Sequence, residues 1–183
     1  MKPFSEISAD PLEWREPKAL KQHYELYQGD EIFATLIFKT AFGSLATAET
    51  TECKWTFKRV GFLNPRVTVR ELGSDGNLAV FQPRFWGDGE LILTSGERFT
   101  WKPTNFWQTE WVFQDAYDRL LVKFKSGTEK SKLSDLFKTQ AMLEIAPVIP
   151  ARETLPLLVT VGWYLMILHQ QDAAAAATVA STM

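Results

Sequence analysis

The sequence has few of the residues from which enzymes and metal proteins build their sites. It contains one cysteine, Cys53, and two histidines, His23 and His169, among 183 residues. A single cysteine excludes an internal disulfide, and we expect no disulfide-linked partner. No zinc spacing, phosphate-binding loop, nucleophile elbow or dinucleotide motif is present in the sequence. We therefore predict a non-enzymatic protein with no catalytic residue, no metal and no cofactor.

An excess of charge of either sign is also lacking. The net charge is −2 and the isoelectric point is about 5.8, so the chain as a whole does not attract nucleic acid. Residues 1–20 carry charges and prolines throughout, without the apolar stretch of a secretory signal. We expect a cytoplasmic protein that does not bind nucleic acid, and peripheral membrane association stays open.

Aromatic residues and turn residues, by contrast, are plentiful. Aromatic side chains make up 13% of the chain, which suits β-structure and a large interior. Short alternating segments separated by Gly, Asp and Asn predict about twelve strands, typical of an antiparallel barrel in one domain, 1–183. The predicted strands are Leu12–Arg15, Gln22–Gln28, Glu31–Lys39, Leu45–Glu49, Lys54–Val60, Arg66–Glu71, Leu78–Phe85, Glu90–Thr94, Arg98–Lys102, Phe106–Phe113, Asp118–Lys125 and Ala141–Val148.

Alternation assigns the faces of three of these strands. In Lys54–Val60, Trp55 and Phe57 are predicted to point inward. In Asp118–Lys125, one face holds Leu120, Val122 and Phe124. In Phe106–Phe113 we place inward the face that is wholly large or β-branched. That face comprises Trp107, Thr109, Trp111 and Phe113.

Two segments after the eleventh strand break this pattern. Lys125–Lys138 is polar and lysine-rich, which predicts a loop with a helical turn at Leu133–Phe137. Leu155–Leu168 is apolar on every side, so a helix there must be surrounded by lipid or by protein. Spanning a bilayer takes about 20 apolar residues, and shorter stretches are more often buried in protein. We predict a central helix over about 154–170 that the barrel encloses, with an Ala-rich tail at 173–183 that extends the helix or frays.

A barrel of about twelve strands followed by an apolar helix resembles the tubby C-terminal-like superfamily. That superfamily includes the tubby proteins, the phospholipid scramblases and the LURP-one-related proteins. The rhythm of Ala46, Ala48, Trp55 and Phe57 within residues 29–71 is similar to that of bacterial members. The resemblance implies a closed barrel around a central helix, and a protein that binds phosphoinositides or associates with lipids.

The calcium-dependent activity of scramblases is not implied here. Those proteins carry an acidic calcium loop ahead of the terminal helix. Lys125–Lys138 occupies that place in this chain and has Glu129 and Asp135 as its acids, without the spacing of a calcium loop.

Lipid headgroups need clustered cations, and one predicted hairpin supplies them. If the fifth and sixth strands pair across Gly61–Asn64, Lys58 faces Thr68 and Thr56 faces Arg70. One outer surface would then hold Lys54, Lys58, Arg66 and Arg70. Such a patch can hold a phosphate group, although lysines and arginines also cover ordinary solvated barrel exteriors. The lysines of Lys123–Lys138 offer a second candidate of the same kind.

Two hypotheses from different classes follow. The first is a binding or scaffold domain that recognises anionic phospholipid headgroups or a protein partner. The second is a tail-anchored membrane protein, in which the apolar helix of Leu155–Leu168 enters lipid, or else a scramblase-like lipid-associated protein.

Overall fold

A computed structural model describes residues 1–18, 21–41, 43–84, 87–127, 140–147 and 152–180. Twelve strands in these ranges form one closed antiparallel barrel, in which each strand pairs with the strands before and after it and β1 pairs with β12. The strands are β1 Leu12–Arg15, β2 His23–Gln28, β3 Glu31–Phe38, β4 Ala46–Thr50, β5 Lys54–Val60, β6 Arg66–Glu71, β7 Ala79–Pro83, β8 Gly89–Leu93, β9 Arg98–Pro103, β10 Glu110–Gln114, β11 Leu120–Ser126 and β12 Ala141–Ile145. Short 3-10 helices occupy Phe4–Glu6 and Arg152–Thr154.

The prediction of a closed barrel that encloses the terminal helix is confirmed. The helix, α1, runs over Leu155–Ala180, with Pro156 in its first turn, and every residue from 155 to 168 is buried. Continuation to Ala180 means that the Ala-rich run extends the helix. The predicted helical turn at Leu133–Phe137 and the end of the tail, 181–183, lie outside the described residues.

Aromatic side chains from around the barrel close on the helix. Trp163 stacks on Trp14 of β1 at 5.7 Å, and Tyr164 stacks on Phe38 of β3 at 5.4 Å. Phe57 of β5 meets the same tyrosine edge-on. The Tyr164 hydroxyl donates a hydrogen bond to the backbone carbonyl of Ser44. The aromatic excess of the sequence therefore fills the space between helix and strands.

One predicted strand is too long. Phe106–Phe113 was expected to be continuous, but β10 begins at Glu110 and the preceding residues form a loop. Gln108 has a left-handed φ of 54°, which interrupts an extended strand. Trp111 and Phe113 point inward as predicted. Trp107 is 80% exposed and Thr109 is exposed as well, so the predicted inward position of these two residues is wrong.

A bulge changes the predicted faces of β11. Phe113 pairs with Val122 but Gln114 pairs with Leu120, so Leu121 is an extra residue in the ladder. Val122 and Phe124 share a face as predicted, and that face points inward. Leu121 is buried as well, and Leu120 is 42% exposed, which contradicts the prediction that Leu120 shares their face.

We name the two ends of the barrel by the course of α1, which begins at one end and leaves the barrel at the other. The entry end, where α1 begins, carries the loops that follow the even-numbered strands from β2 to β10. The exit end, where α1 leaves the barrel, carries the loops that follow the odd-numbered strands. Contacts fix this assignment, because Gly87 in the β7–β8 loop lies against His169, and Arg59 near the end of β5 binds Asp172.

Candidate functional site

The filled interior moves any binding site to the barrel ends or the outer wall. Both described cavities lie at the entry end. One, of about 290 Å³, is lined by Phe99, Leu121 and Leu158. The other, of about 780 Å³, is lined by Trp55, Leu155 and other residues around Cys53.

The chemistry of Cys53 does not favour catalysis. Cys53 is exposed, but partial desolvation of its thiol and the nearby carboxylates of Glu71 and Glu52 raise the thiol pKa, which disfavours the nucleophilic thiolate. His169 lies against Trp111 at the exit end, and His23 lies beside Glu25 at 3.4 Å. Neither histidine pairs with the thiol. Within the described ranges no three His, Cys, Asp or Glu side chains group as metal ligands.

The predicted cationic hairpin forms with the predicted register. Lys58 pairs with Thr68 and Thr56 pairs with Arg70, so the four cations named above share the outer face of β5 and β6. Trp55 and Phe57 point inward between them, with 4% and 0% exposure. Short-range alternation thus places this surface correctly.

The four cations differ in how free they are. Lys54 Nζ lies 2.8 Å from Glu49 Oε1, and Arg70 Nε donates to Asn77 Oδ1 at 2.9 Å. Lys58 and Arg66 are exposed and bind no carboxylate among the described residues. Lys58 lies at the centre of the patch, because it is diagonally across the ladder from both Arg66 and Arg70. Diagonal neighbours stand about 7–8 Å apart, a span that one phosphate group can bridge.

The second candidate group is less available. Lys123 Nζ lies 3.3 Å from Glu110 Oε2, and Lys125 Nζ lies 4.0 Å from the other oxygen of that carboxylate. The remaining lysines of Lys123–Lys138 lie outside the described residues.

Two pairs of apolar residues at loop tips escaped the sequence interpretation. The β5–β6 loop, residues 61–65, exposes Phe62 by 97% and Leu63 by 93%. The β9–β10 loop, residues 104–109, exposes Phe106 by 89% and Trp107 by 80%. Phe62 and Leu63 stand within the predicted turn, where an apolar pair is unusual and is itself a sequence signal for an exposed apolar tip.

Both tips have a defined conformation. Gly61 has a φ of +89°, and a side chain there would strike the backbone carbonyl of Asn64, so the turn requires glycine. In the other loop, the Asn105 side chain accepts a hydrogen bond from the Thr109 amide at 3.0 Å and donates to the Thr109 hydroxyl at 2.9 Å. Asn105 thus closes a turn that presents Phe106 and Trp107 to solvent.

Comparison with known proteins adds no assignment, since no family model, curated protein or solved structure matches the chain.

Proposed function

We propose that the chain is a non-enzymatic, peripheral binding domain that docks on anionic phospholipid surfaces through the β5–β6 hairpin. The observation that carries this proposal is the exposed, unpaired state of Lys58 and Arg66 on one outer face. Like charges at this separation repel, and an anionic headgroup between them would remove the repulsion.

The neighbouring groups support the same assignment. Thr56 lies beside Lys58 on the same outer face and offers a hydroxyl group to a phosphate oxygen, whereas the buried Thr68 hydroxyl donates to the Lys58 backbone carbonyl. Lys54 and Arg70 stand at the edge of the patch, where their present partners Glu49 and Asn77 are exposed or part-exposed and exchange readily for a headgroup. The architecture also agrees with what the resemblance to tubby-like and LURP-one-related proteins implies, and membership in that superfamily is part of the proposal.

The tail-anchor hypothesis has less support. The apolar segment on which it depends lies inside the barrel, with Leu158, Val159 and Val161 completely buried. Within the part of the chain that the structure describes, no helix has the length and apolarity that crossing a bilayer takes.

Vesicle co-sedimentation tests the proposal. We expect the chain to pellet with vesicles of phosphatidylcholine and phosphatidylserine and to stay in solution with phosphatidylcholine alone. Each cation near an anionic surface contributes about 1 kcal/mol, so Lys58→Gln with Arg66→Gln should weaken binding by about 2 kcal/mol, or roughly 30-fold.

A matched control separates the patch from net charge. Lys2→Gln with Arg98→Gln removes the same charge from exposed side chains elsewhere, 44% and 61% accessible, and should leave vesicle binding nearly unchanged. Equal losses in the two double variants, or equal pelleting with both kinds of vesicle, would contradict the proposed patch.

A further inference from the structure

We infer that the exit end of the barrel is the face that meets the bilayer, with the two apolar loop tips inserted at the level where headgroups meet acyl chains. This inference rests on the proposed function and adds the orientation and depth of docking. The inserted residues are Phe62, Leu63, Phe106 and Trp107.

The exposure of these four side chains is the first observation. They are the four most exposed large apolar residues of the described chain, and each is at least 80% accessible. Single exposed apolar residues are common on protein surfaces, but adjacent pairs at two loop tips are not. Because all four lie on loops that follow odd-numbered strands, they project from the same end.

The residue types favour lipid over a protein groove. Phe106 and Trp107 meet edge to face at 5.4 Å, so they form one compact aromatic tip on the β9–β10 loop. Aromatic side chains with an apolar body prefer the membrane interface. The two tips belong to separate hairpins on a barrel of twelve strands, which suits a broad, deformable surface better than a single narrow cleft.

The charges of the loops also favour docking by the exit end of the barrel. The described inter-strand loops of the exit end carry four cations and two carboxylates, whereas those of the entry end carry six carboxylates and one cation. The exit-end charges are Lys18, Lys21, Lys39, Arg84, Glu16 and Asp88; the entry-end charges are Asp30, Glu52, Asp75, Glu97, Asp115, Asp118 and Arg119. An anionic bilayer therefore attracts the exit end and repels the entry end.

The emerging helix fits this orientation. Ala173–Ala177 is exposed, and residues 173–180 contain no charged side chain. The emergent part of the helix and the β5–β6 loop thus lie at the same end of the barrel, and neither brings a charge into the lipid.

The same geometry places the proposed cationic patch at headgroup level. Arg66 directly follows the 61–65 loop, and Lys58 lies three residues before Gly61, about 10 Å along the strand. Insertion of Phe62 and Leu63 below the headgroups therefore sets both cations among the phosphates. The tips and the patch act as one docking surface.

Site-specific fluorescence tests how deeply the two loop tips insert into the bilayer. The native Cys53, in the β4–β5 loop of the entry end, is exposed and can carry an environment-sensitive dye as the control. In a Cys53→Ser background, the same dye is attached at Leu63→Cys or at Trp107→Cys. With phosphatidylcholine–phosphatidylserine vesicles, we expect a blue shift and quenching by brominated acyl chains at 63 and 107, and no change at Cys53.

Binding measurements with matched variants complete the test. Phe62→Ser with Leu63→Ser, and Phe106→Ser with Trp107→Ser, should each weaken vesicle binding about ten-fold or more, with an unchanged melting temperature. The control is Leu72→Ser with Tyr117→Ser, which removes side chains that are 55% and 79% exposed on loops of the entry end and should bind as the native chain does.

The outcomes separate the two proposals. Native binding by both tip variants, together with weak binding by Lys58→Gln with Arg66→Gln, would overturn the insertion and leave the proposed function standing. A native chain that ignores anionic vesicles would overturn both, and the tips would then be a surface for a protein partner. Loss of binding in the tip variants, with dye shifts at 63 and 107, supports both.

Discussion

Gly162 is the residue at which the enclosed helix packs directly against Phe124 of β11 and Phe113 of β10. A Cβ atom at this position would overlap the Phe124 ring and lie 3.2 Å from Phe113 Cε2. Phe124 is completely buried and packs on Trp101 at 5.4 Å, so its ring has no space to withdraw. The helix approaches β11 closely because this residue has no Cβ.

We predict that Gly162→Ala lowers the free energy of unfolding by about 1–3 kcal/mol and that Gly162→Leu prevents folding. Urea denaturation, followed by circular dichroism, measures the first change. Ala175→Leu is the control, because Ala175 lies on the exposed part of α1 and should shift stability by less than about 0.5 kcal/mol. A native-like stability of Gly162→Leu would contradict the enclosed packing.

At the level of elements, the helix divides into an enclosed part and an emergent part. Residues 155–168 are buried on all sides, whereas Ala173–Ala177 is exposed. The Arg59–Asp172 pair, with both side chains partly exposed at 37% and 55%, marks the boundary. Exposed pairs of this kind contribute about 0–1 kcal/mol, so the boundary is set by burial and not by the ion pair.

We predict that a chain ending at Asp172 keeps the melting temperature of the native chain, because the removed residues bury little surface. A chain ending at Leu157 should not fold, because it leaves the barrel without the side chains that fill it. Thermal melts in the near ultraviolet measure both. A large stability loss on removal of residues 173–183, or a cooperative melt of the shorter chain, would contradict this division.

The elements also show how far sequence reasoning reaches. The strand count and the β5–β6 register were predictable, because Lys54–Val60 alternates cleanly and its turn is short. The interruption before β10 was not, because it depends on the backbone of Gln108 and the side-chain bonds of Asn105. Alternation likewise cannot reveal the bulge at Leu121, since one extra residue shifts the faces without changing the composition.

The residues of the candidate site were likewise predictable only in part from the sequence. The cations of the hairpin could be found from spacing, because charged residues at alternate positions must share a face. The tip at Phe106 and Trp107 could not, since both residues have the types expected of a buried strand. Which cations stay free of a partner, and which loops share an end, emerge only once the barrel closes.

At the scale of the whole molecule, barrel and helix are mutually dependent. The inner faces of the strands cover the helix, and the helix covers them, within one continuous core cluster. Neither part has another apolar surface on which to pack within the described residues. The protein should therefore unfold in one cooperative step.

We predict that urea unfolding gives the same midpoint by far-ultraviolet circular dichroism and by tryptophan fluorescence. Trp163 on the helix and Trp14 on β1 report the core, and circular dichroism reports both helix and strands. Two separated transitions would mean that the barrel survives without its helix. Gly162→Ala should move both midpoints together.

The position of α1 in the chain has a consequence for biosynthesis. All twelve strands are translated before the helix around which they close. Until then the inner faces of the strands in the nascent chain are not covered by the helix. The free edge of β1 also stays unpaired until β12 has been translated. We therefore expect the barrel to close only after α1 has been translated, because the inner faces of the strands pack on that helix.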